Sequence, residues 1–264
     1  MTYPDPLDGS RLSAVLTVGD PLWRSIEVVP ATGSTNADLA ARARRGESAG
    51  RVLVTDHQRA GRGRLGRTWT APAGSSVAMS VLLRPERDPA SWTWLPLLAG
   101  LAVADSLRAV ADVPAVLKWP NDVLVDDAKV CGILAERVDG PAGPACVLGL
   151  GINVHLTADQ LPVPTATSLA LLRPDRRLAR NDIIATVLAT LALLYHRWQA
   201  GLDAELAAEY VARSGTLGRT VTVLGGDGAR FTGEAIAVDP AGRLRVRTPS
   251  GVQTFAAGDV THLR

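Results

Sequence analysis

The chain has 264 residues, 47% of them apolar and 20% charged, with a formal net charge of +2. That length allows one large domain or one large and one small, with apolar content sufficient for a sizeable core. A near-neutral balance supplies no long-range field for polyanions, which argues against a dedicated nucleic-acid binder.

Met1-Thr2-Tyr3-Pro4-Asp5-Pro6 lacks the basic start and apolar run of a signal peptide, so a cytoplasmic protein is expected. Residues 1–24 are polar and Pro/Gly-spotted and read as an N-terminal tail, too short for an independent domain. Ile26–Val29 has strand character. Ser34-Thr35-Asn36 then precedes the helical segment 37–43, with Ser34 or Thr35 as its N-cap. Strands are expected at 51–55 and 77–83, and a mostly apolar helix at 93–110 that carries Pro96 in its first turn. The most apolar run, Trp92 to Ala104, is too short to span a bilayer. Strands at 115–119, 122–125, 129–137 and 145–154 follow, with turns at Asp126-Asp127 and 140–144. Short turns between adjacent strands imply antiparallel pairing, so the sheet should be mixed or antiparallel rather than doubly wound.

From Asn181 to about Gln199, apolar residues recur at helical spacing and read as core. A shorter helix is expected at 203–213. From Thr220 the chain alternates in short runs, with turns at Gly225-Gly226-Asp227-Gly228 and Asp239-Pro240-Ala241-Gly242. Four to five strands in so short a span suggest a small SH3-like β-barrel. The fold class is therefore α+β, a large domain over 25–215 and a small β-domain over 216–264.

Cys131 and Cys146 sit in apolar strand-like runs, where reduced buried thiols are the default. His57, His155, His196 and His262 form no metal-ligand spacing.

The densest chemistry lies at Gly61-Arg62-Gly63-Arg64-Leu65-Gly66-Arg67, with Trp69 just beyond. Glycine lets backbone approach a ligand, and arginine brings a fixed cationic fork for phosphate or carboxylate oxygens. Such a segment can wrap an anion and order as the anion arrives. The stretch also fits the dinucleotide fingerprint G-x-G-x-x-G, but Asp56–Ala60 separates it from the preceding strand and 68–74 is a poor helix start. A solvated Arg-rich loop and a nucleic-acid contact remain as other readings. The nucleic-acid reading calls for aromatic residues interleaved with basic ones, and only 4% of the chain is aromatic.

Lys118-Trp119-Pro120-Asn121-Asp122 is the second constellation. Asn-Asp after proline is also ordinary turn chemistry. Lys129 opens Val130-Cys131-Gly132-Ile133-Leu134-Ala135-Glu136, where a lysine can equally snorkel from a buried strand. Gly132 within a strand suggests close approach by backbone or ligand. In Gly149-Leu150-Gly151-Ile152-Asn153-Val154 the glycines leave one face bare, so a flat ring could lie there; a bulge is the alternative.

In this order and spacing, these four motifs resemble the biotin–protein ligases, over about residues 25–264. The resemblance implies a class II synthetase-like catalytic domain, a mixed sheet flanked by helices, followed by an SH3-like module. It implies a monofunctional enzyme, since the N-terminal stretch is short for the DNA-binding winged helix that makes some members repressors. The implied reaction joins biotin and ATP into biotinyl-5′-AMP, then passes biotin to a lysine of a biotin carboxyl carrier domain of an acyl-CoA carboxylase. By resemblance, Ser34, Thr35, Asn36, Gln58, Arg62, Gly63, Arg64, Lys129 and Gly132 match the biotin and acyl-phosphate site. Arg64, Arg67, Trp69, Lys118, Asn121, Asp122 and Asn153 match positions around the nucleotide. Lys129 and Arg64 are the expected catalytic cations, and the Gly/Arg loop is expected to close over the adenylate. Mg²⁺ is expected on the ATP phosphates, with Asp122 as a candidate ligand. No DNA or membrane partner is expected, and the protein should be a monomer or a weak homodimer. The related lipoate–protein ligases are disfavoured, because their arginine-arginine-x-glycine signature is absent.

Overall fold

The computed structural model describes residues 6–225 and 228–263. Met1–Asp5 of the leader reading, and Gly226 and Asp227 of the expected turn, lie outside the described residues.

Helix α1 (Gly9–Gly19) falls within the stretch read as a polar tail. Asp8 caps it by accepting from the Arg11 N–H at 2.9 Å. Leu12 and Leu16, one turn apart, are buried in the main core together with Trp23, whose indole Nε1 donates to the Leu188 carbonyl at 3.0 Å. Strand β1 (Ser25–Val29) leads through helix α2 (Thr35–Arg44) to β2 (Arg51–Thr55), parallel to β1. Two short strands, β3 (Gly61–Arg62) and β4 (Thr68–Trp69), make a hairpin, and β5 (Ser76–Leu83) follows. Helix α3 (Trp94–Ala111) precedes β6 (Val116–Lys118), β7 (Asp122–Val125), β8 (Ala128–Val138) and β9 (Ala145–Asn153).

The large sheet runs β1-β2-β5-β9-β8-β7-β6, with every pair after β1/β2 antiparallel. It is mixed, as the turn lengths implied. β5 and β9 are central and buried at every position, which explains their near-continuous apolar sequence. Helix α2 covers one face through Leu39, Ala40 and Ala43. Helix α3 and helix α5 (Arg180–Gln199) pack on each other in the main core. Helix α3 has 18 residues and lies one position later than the expected 93–110; by length and composition it could cross a membrane, but 72% of it is buried inside the protein, as in a core helix. The short helices α4 (Leu169–Leu172) and α6 (Asp203–Ala212) flank α5 in sequence.

The C-terminal unit is a five-stranded antiparallel sheet of β10 (Thr220–Leu224), β11 (Arg230–Val238), β12 (Leu244–Thr248), β13 (Gly251–Phe255) and β14 (Asp259–His262). Its order is β13-β12-β11-β10-β14. Among the described residues β13 and β14 are not paired, so these pairings do not close the expected barrel. The turn at 239–242 sits against the large domain. Thr93 Oγ1 donates to the Ala241 carbonyl at 2.8 Å, Trp94 Nε1 to Pro240 at 2.8 Å and Trp119 Nε1 to Gly242 at 3.1 Å.

Candidate active site

The arginine-rich segment folds as the β3/β4 hairpin, in which Gly61 pairs with Trp69 and Arg62 with Thr68. The Gly63 N–H donates to the Arg67 carbonyl at 2.7 Å. At the tip Leu65 (φ 55°) and Gly66 (φ 73°) turn the chain through the left-handed region. Arg64 leaves this tip to donate to Asn121 Oδ1 at 2.8 Å. Burial pulls its guanidinium pKa below the ordinary value.

β6 and β7 form a tight pair with Lys118 opposite Asp122, and the Trp119–Pro120 peptide between them is cis. The interruption expected at Pro120 is therefore the turn of a hairpin that holds Asn121 and Asp122 at its mouth. Asn121 Nδ2 donates to the Ile133 carbonyl at 3.0 Å. Lys129 reaches back from β8, its Nζ 2.6 Å from Asp122 Oδ1 and 5.9 Å from the centre of the Trp69 ring.

Gly132 and Gly151 are cross-strand partners on β8 and β9. The flat ring expected on this bare face is the protein's own Trp69: a methyl group on Gly151 would come within 2.5 Å of indole Cε2, and one on Gly132 within 3.0 Å of Cζ3. Gly149 serves a different neighbour, the amide of Asn36.

Ser34 is the N-cap of α2 and accepts from the Ala37 N–H at 3.4 Å. Thr35 and Asn36, freed from capping, turn toward the sheet. Gln58 Oε1 accepts from the Thr35 N–H at 2.9 Å, and Asn36 Nδ2 donates to Glu136 Oε2 at 2.8 Å. Asn153, at the end of β9, donates to the Thr167 carbonyl at 2.9 Å.

All of these pieces line one cavity of about 780 Å³. Every candidate residue from the motifs contributes to its wall, including Ser34, Arg62, Gly63, Arg67, Lys118, Asn153 and Lys129 with its partner Asp122. Its contents are divided by chemistry. Thr35, Asn36 and Gln58 offer neutral hydroxyl and amide groups. Arg62, Arg64, Arg67, Lys118 and Lys129 bring cations suited to carboxylate and phosphate oxygens.

Two segments of the wall carried no motif. Pro162, Val163, Thr165 and Ala166 come from the connection after β9, and the Thr165 carbonyl accepts from the Lys129 N–H at 2.8 Å. Arg219, Asp259, Thr261 and His262 come from the C-terminal unit, where Asp259 Oδ1 pairs with Arg67 Nη2 at 2.8 Å. Burial first, then Lys118 and Arg219, pushes the His262 imidazole down to about 4. Burial raises the Cys131 thiol to about 12, which excludes it as a nucleophile at neutral pH. Among the described residues no group of His, Cys, Asp and Glu is arranged to hold a metal, and Asp122 is engaged by Lys129.

A neutral polar wall beside a cluster of cations, in a cleft on a mixed α+β sheet, suits a ligand with an uncharged polar part and anionic groups. The comparisons give the class, a ligase. The Biotin/lipoate A/B protein ligase family matches residues 29–153, and the Biotin protein ligase C terminal domain matches 216–263. The chain is 42% identical to the biotin–[acetyl-CoA-carboxylase] ligase of Mycobacterium tuberculosis, over 98% of this chain and 97% of that one. It is 30% identical to the bifunctional ligase/repressor BirA of Escherichia coli, over 98% of this chain and 80% of that one. The Aquifex aeolicus biotin protein ligase in complex with biotin and ATP superposes with a TM-score of 0.78 at 27% identity, covering 92% of this chain and all of that one. The chain belongs to the biotin protein ligase family.

Proposed function

We infer that this chain is a biotin–protein ligase that joins biotin and ATP into biotinyl-5′-AMP, releases pyrophosphate, and passes the biotinyl group to a lysine of a carboxylase carrier domain. The observation that carries the reading is the convergence of Arg62, Arg64 and Lys129 on one cavity with the neutral groups of Thr35 and Gln58. Biotin's carboxylate is itself the nucleophile, so the enzyme needs position and charge rather than an attacking side chain.

In this reading Thr35, Asn36 and Gln58 hold the uncharged ureido ring, with Ser34, Gly63 and Gly132 shaping the wall. Arg62 and Lys129 bring the carboxylate to the α-phosphorus. Lys129 and Arg64 then face the charge that grows on phosphorus in the transition state. One such unit-charge contact at ~4 Å is worth roughly 4 kcal/mol at an effective dielectric near 20. Arg67, Trp69, Lys118, Asn121, Asp122 and Asn153 surround the nucleotide. Mg²⁺ enters as the counter-ion of the triphosphate substrate. In the second step the carrier lysine attacks the acyl carbon, and AMP leaves with the electron pair of the broken C–O bond.

The near-neutral net charge supports a protein that works without DNA; by the same reading it works in the cytoplasm, without a membrane partner, as a monomer or weak homodimer. Light scattering across micromolar concentrations reads the last point directly.

Mass spectrometry after mixing protein, biotin and Mg·ATP is the decisive experiment. Biotinyl-5′-AMP should appear, and addition of a carrier domain should move the biotinyl mass onto it. Preferential use of lipoate over biotin, or no adenylate with either acid, would overturn the assignment.

A further inference from the structure

The imidazole of His262, on β14, stands in the cavity wall. Its Nε2 lies 3.1 Å from the hydroxyl of Thr216, and that hydroxyl accepts from the Trp119 N–H at 3.0 Å. Among the described residues these are the two partners of the Thr216 hydroxyl, and Thr216 is fully buried.

The arrangement fixes the tautomer of the ring. A hydroxyl carries one hydrogen, and the Trp119 N–H, a donor, cannot take it. An imidazole that donated from Nε2 would leave that hydrogen buried without an acceptor, the costlier choice. Thr216 therefore donates and Nε2 accepts. The ring is neutral at neutral pH, since burial first, then Lys118 and Arg219, push it down to about 4. A neutral imidazole that accepts at Nε2 carries its hydrogen on Nδ1.

Among the described residues Nδ1 has no partner, and it is not sealed from solvent. The acids that act on the ring are engaged elsewhere: Asp127 pairs with Arg219 at 2.8 Å and Asp122 with Lys129 at 2.6 Å. What remains is an uncommitted N–H donor in the field of the cations Lys118 and Arg219, all three in the wall of one cavity. Such a group suits an anionic oxygen. With Lys129 and Arg64 assigned to the α-phosphorus, the outer phosphates fall to the cations at this end.

We propose that His262 is a nucleotide-binding residue whose Nδ1–H donates to an oxygen of the β- or γ-phosphate of ATP. The proposal rests on the reading of the cavity as an ATP site, and it gives the C-terminal unit a direct contact with the substrate.

Two substitutions separate the ring nitrogens. His262→Gln can still accept from Thr216 but places no donor where Nδ1 stood. His262→Asn keeps an amide N–H near Nδ1 but is too short to reach Thr216. In pyrophosphate exchange, His262→Gln should raise the KM for ATP by about tenfold or more, with the KM for biotin within about twofold. His262→Asn should stay within about threefold of wild type in both. Retention of preformed biotinyl-5′-AMP, which lacks the outer phosphates, should be unchanged in His262→Gln. An ATP KM unchanged in His262→Gln would overturn the proposal. So would a greater loss in His262→Asn than in His262→Gln, the order that a purely structural link to Thr216 produces. Faster escape of the adenylate from His262→Gln would move the contact to the AMP half and overturn it too. A wild-type protein that forms no biotinyl-5′-AMP would overturn the underlying reading, and this one with it.

Discussion

The indole of Trp69 lies so close on Gly151 that the strand can carry no side chain there: a methyl group would come within 2.5 Å of indole Cε2. Gly132, opposite on β8, carries the other end of the same ring. The glycine pair is thus a seat for the end of the β3/β4 hairpin. Gly151→Ala should lift the indole and misplace the hairpin. The loss expected is about tenfold in kcat/KM for adenylate formation, roughly 1.4 kcal/mol, with only a few degrees of change in Tm. Wild-type kinetics in this variant would separate the ring's seat from the reaction.

Lys129 is held 2.6 Å from Asp122. Its ammonium lines the cavity from β8, and Lys129→Ala should slow adenylate formation by about 100-fold, the scale set by loss of one preorganised charge. A change smaller than tenfold in pyrophosphate exchange would remove Lys129 from the electrostatic role. Asp122→Asn releases the same ammonium without deleting it and should cost much less.

Arg64 ties the hairpin tip to Asn121 at 2.8 Å. Arg64→Ala should therefore hold the adenylate poorly. Preformed labelled biotinyl-5′-AMP, chased with unlabelled adenylate, should leave the variant at least about tenfold faster than wild type. Equal retention would place the grip elsewhere.

His262 gives a pH signature. Its pKa is pushed from 6.5 to about 4, chiefly by burial. As pH falls, the unfolded chain takes up this proton first, so acid favours unfolding. The contribution is complete above about pH 6.5 and is lost as pH falls toward 4. Urea midpoints for wild type should decline through that window, and His262→Asn should decline less steeply. Parallel slopes would leave the imidazole without influence.

Much of this site was legible in the sequence because its chemistry clusters at chain features that also fix backbone shape. Gly61, Gly63 and Gly66 mark the hairpin, Pro120 marks the turn that presents Asn121, and Gly132 and Gly151 mark a bare strip of sheet. Ser34 as a cap implied that Thr35 and Asn36 begin a helix, though not that both face the sheet. The contribution of Asp259 and His262 was hidden, since Arg67 and Asp259 meet across 192 residues and no local pattern records such a contact. Helix α1 was missed because its buried anchors, Leu12 and Leu16, are a single pair in a polar stretch. Glu136 stood inside a recognised motif, but its bonds to Arg62 and Asn36 join segments far apart in the chain, and spacing alone does not reveal such partners.

The turn at Pro240, Ala241 and Gly242 offers three carbonyls to Thr93, Trp94 and Trp119 of the large domain. Two of those donors are indoles almost fully enclosed by the protein. Detaching the C-terminal sheet would strand both rings and strip Arg219, Asp259, Thr261 and His262 from the cavity wall in a single event. The two sequence-distant modules are thereby bound into one cooperative melting unit, and tryptophan emission should report their separation and their unfolding at the same temperature.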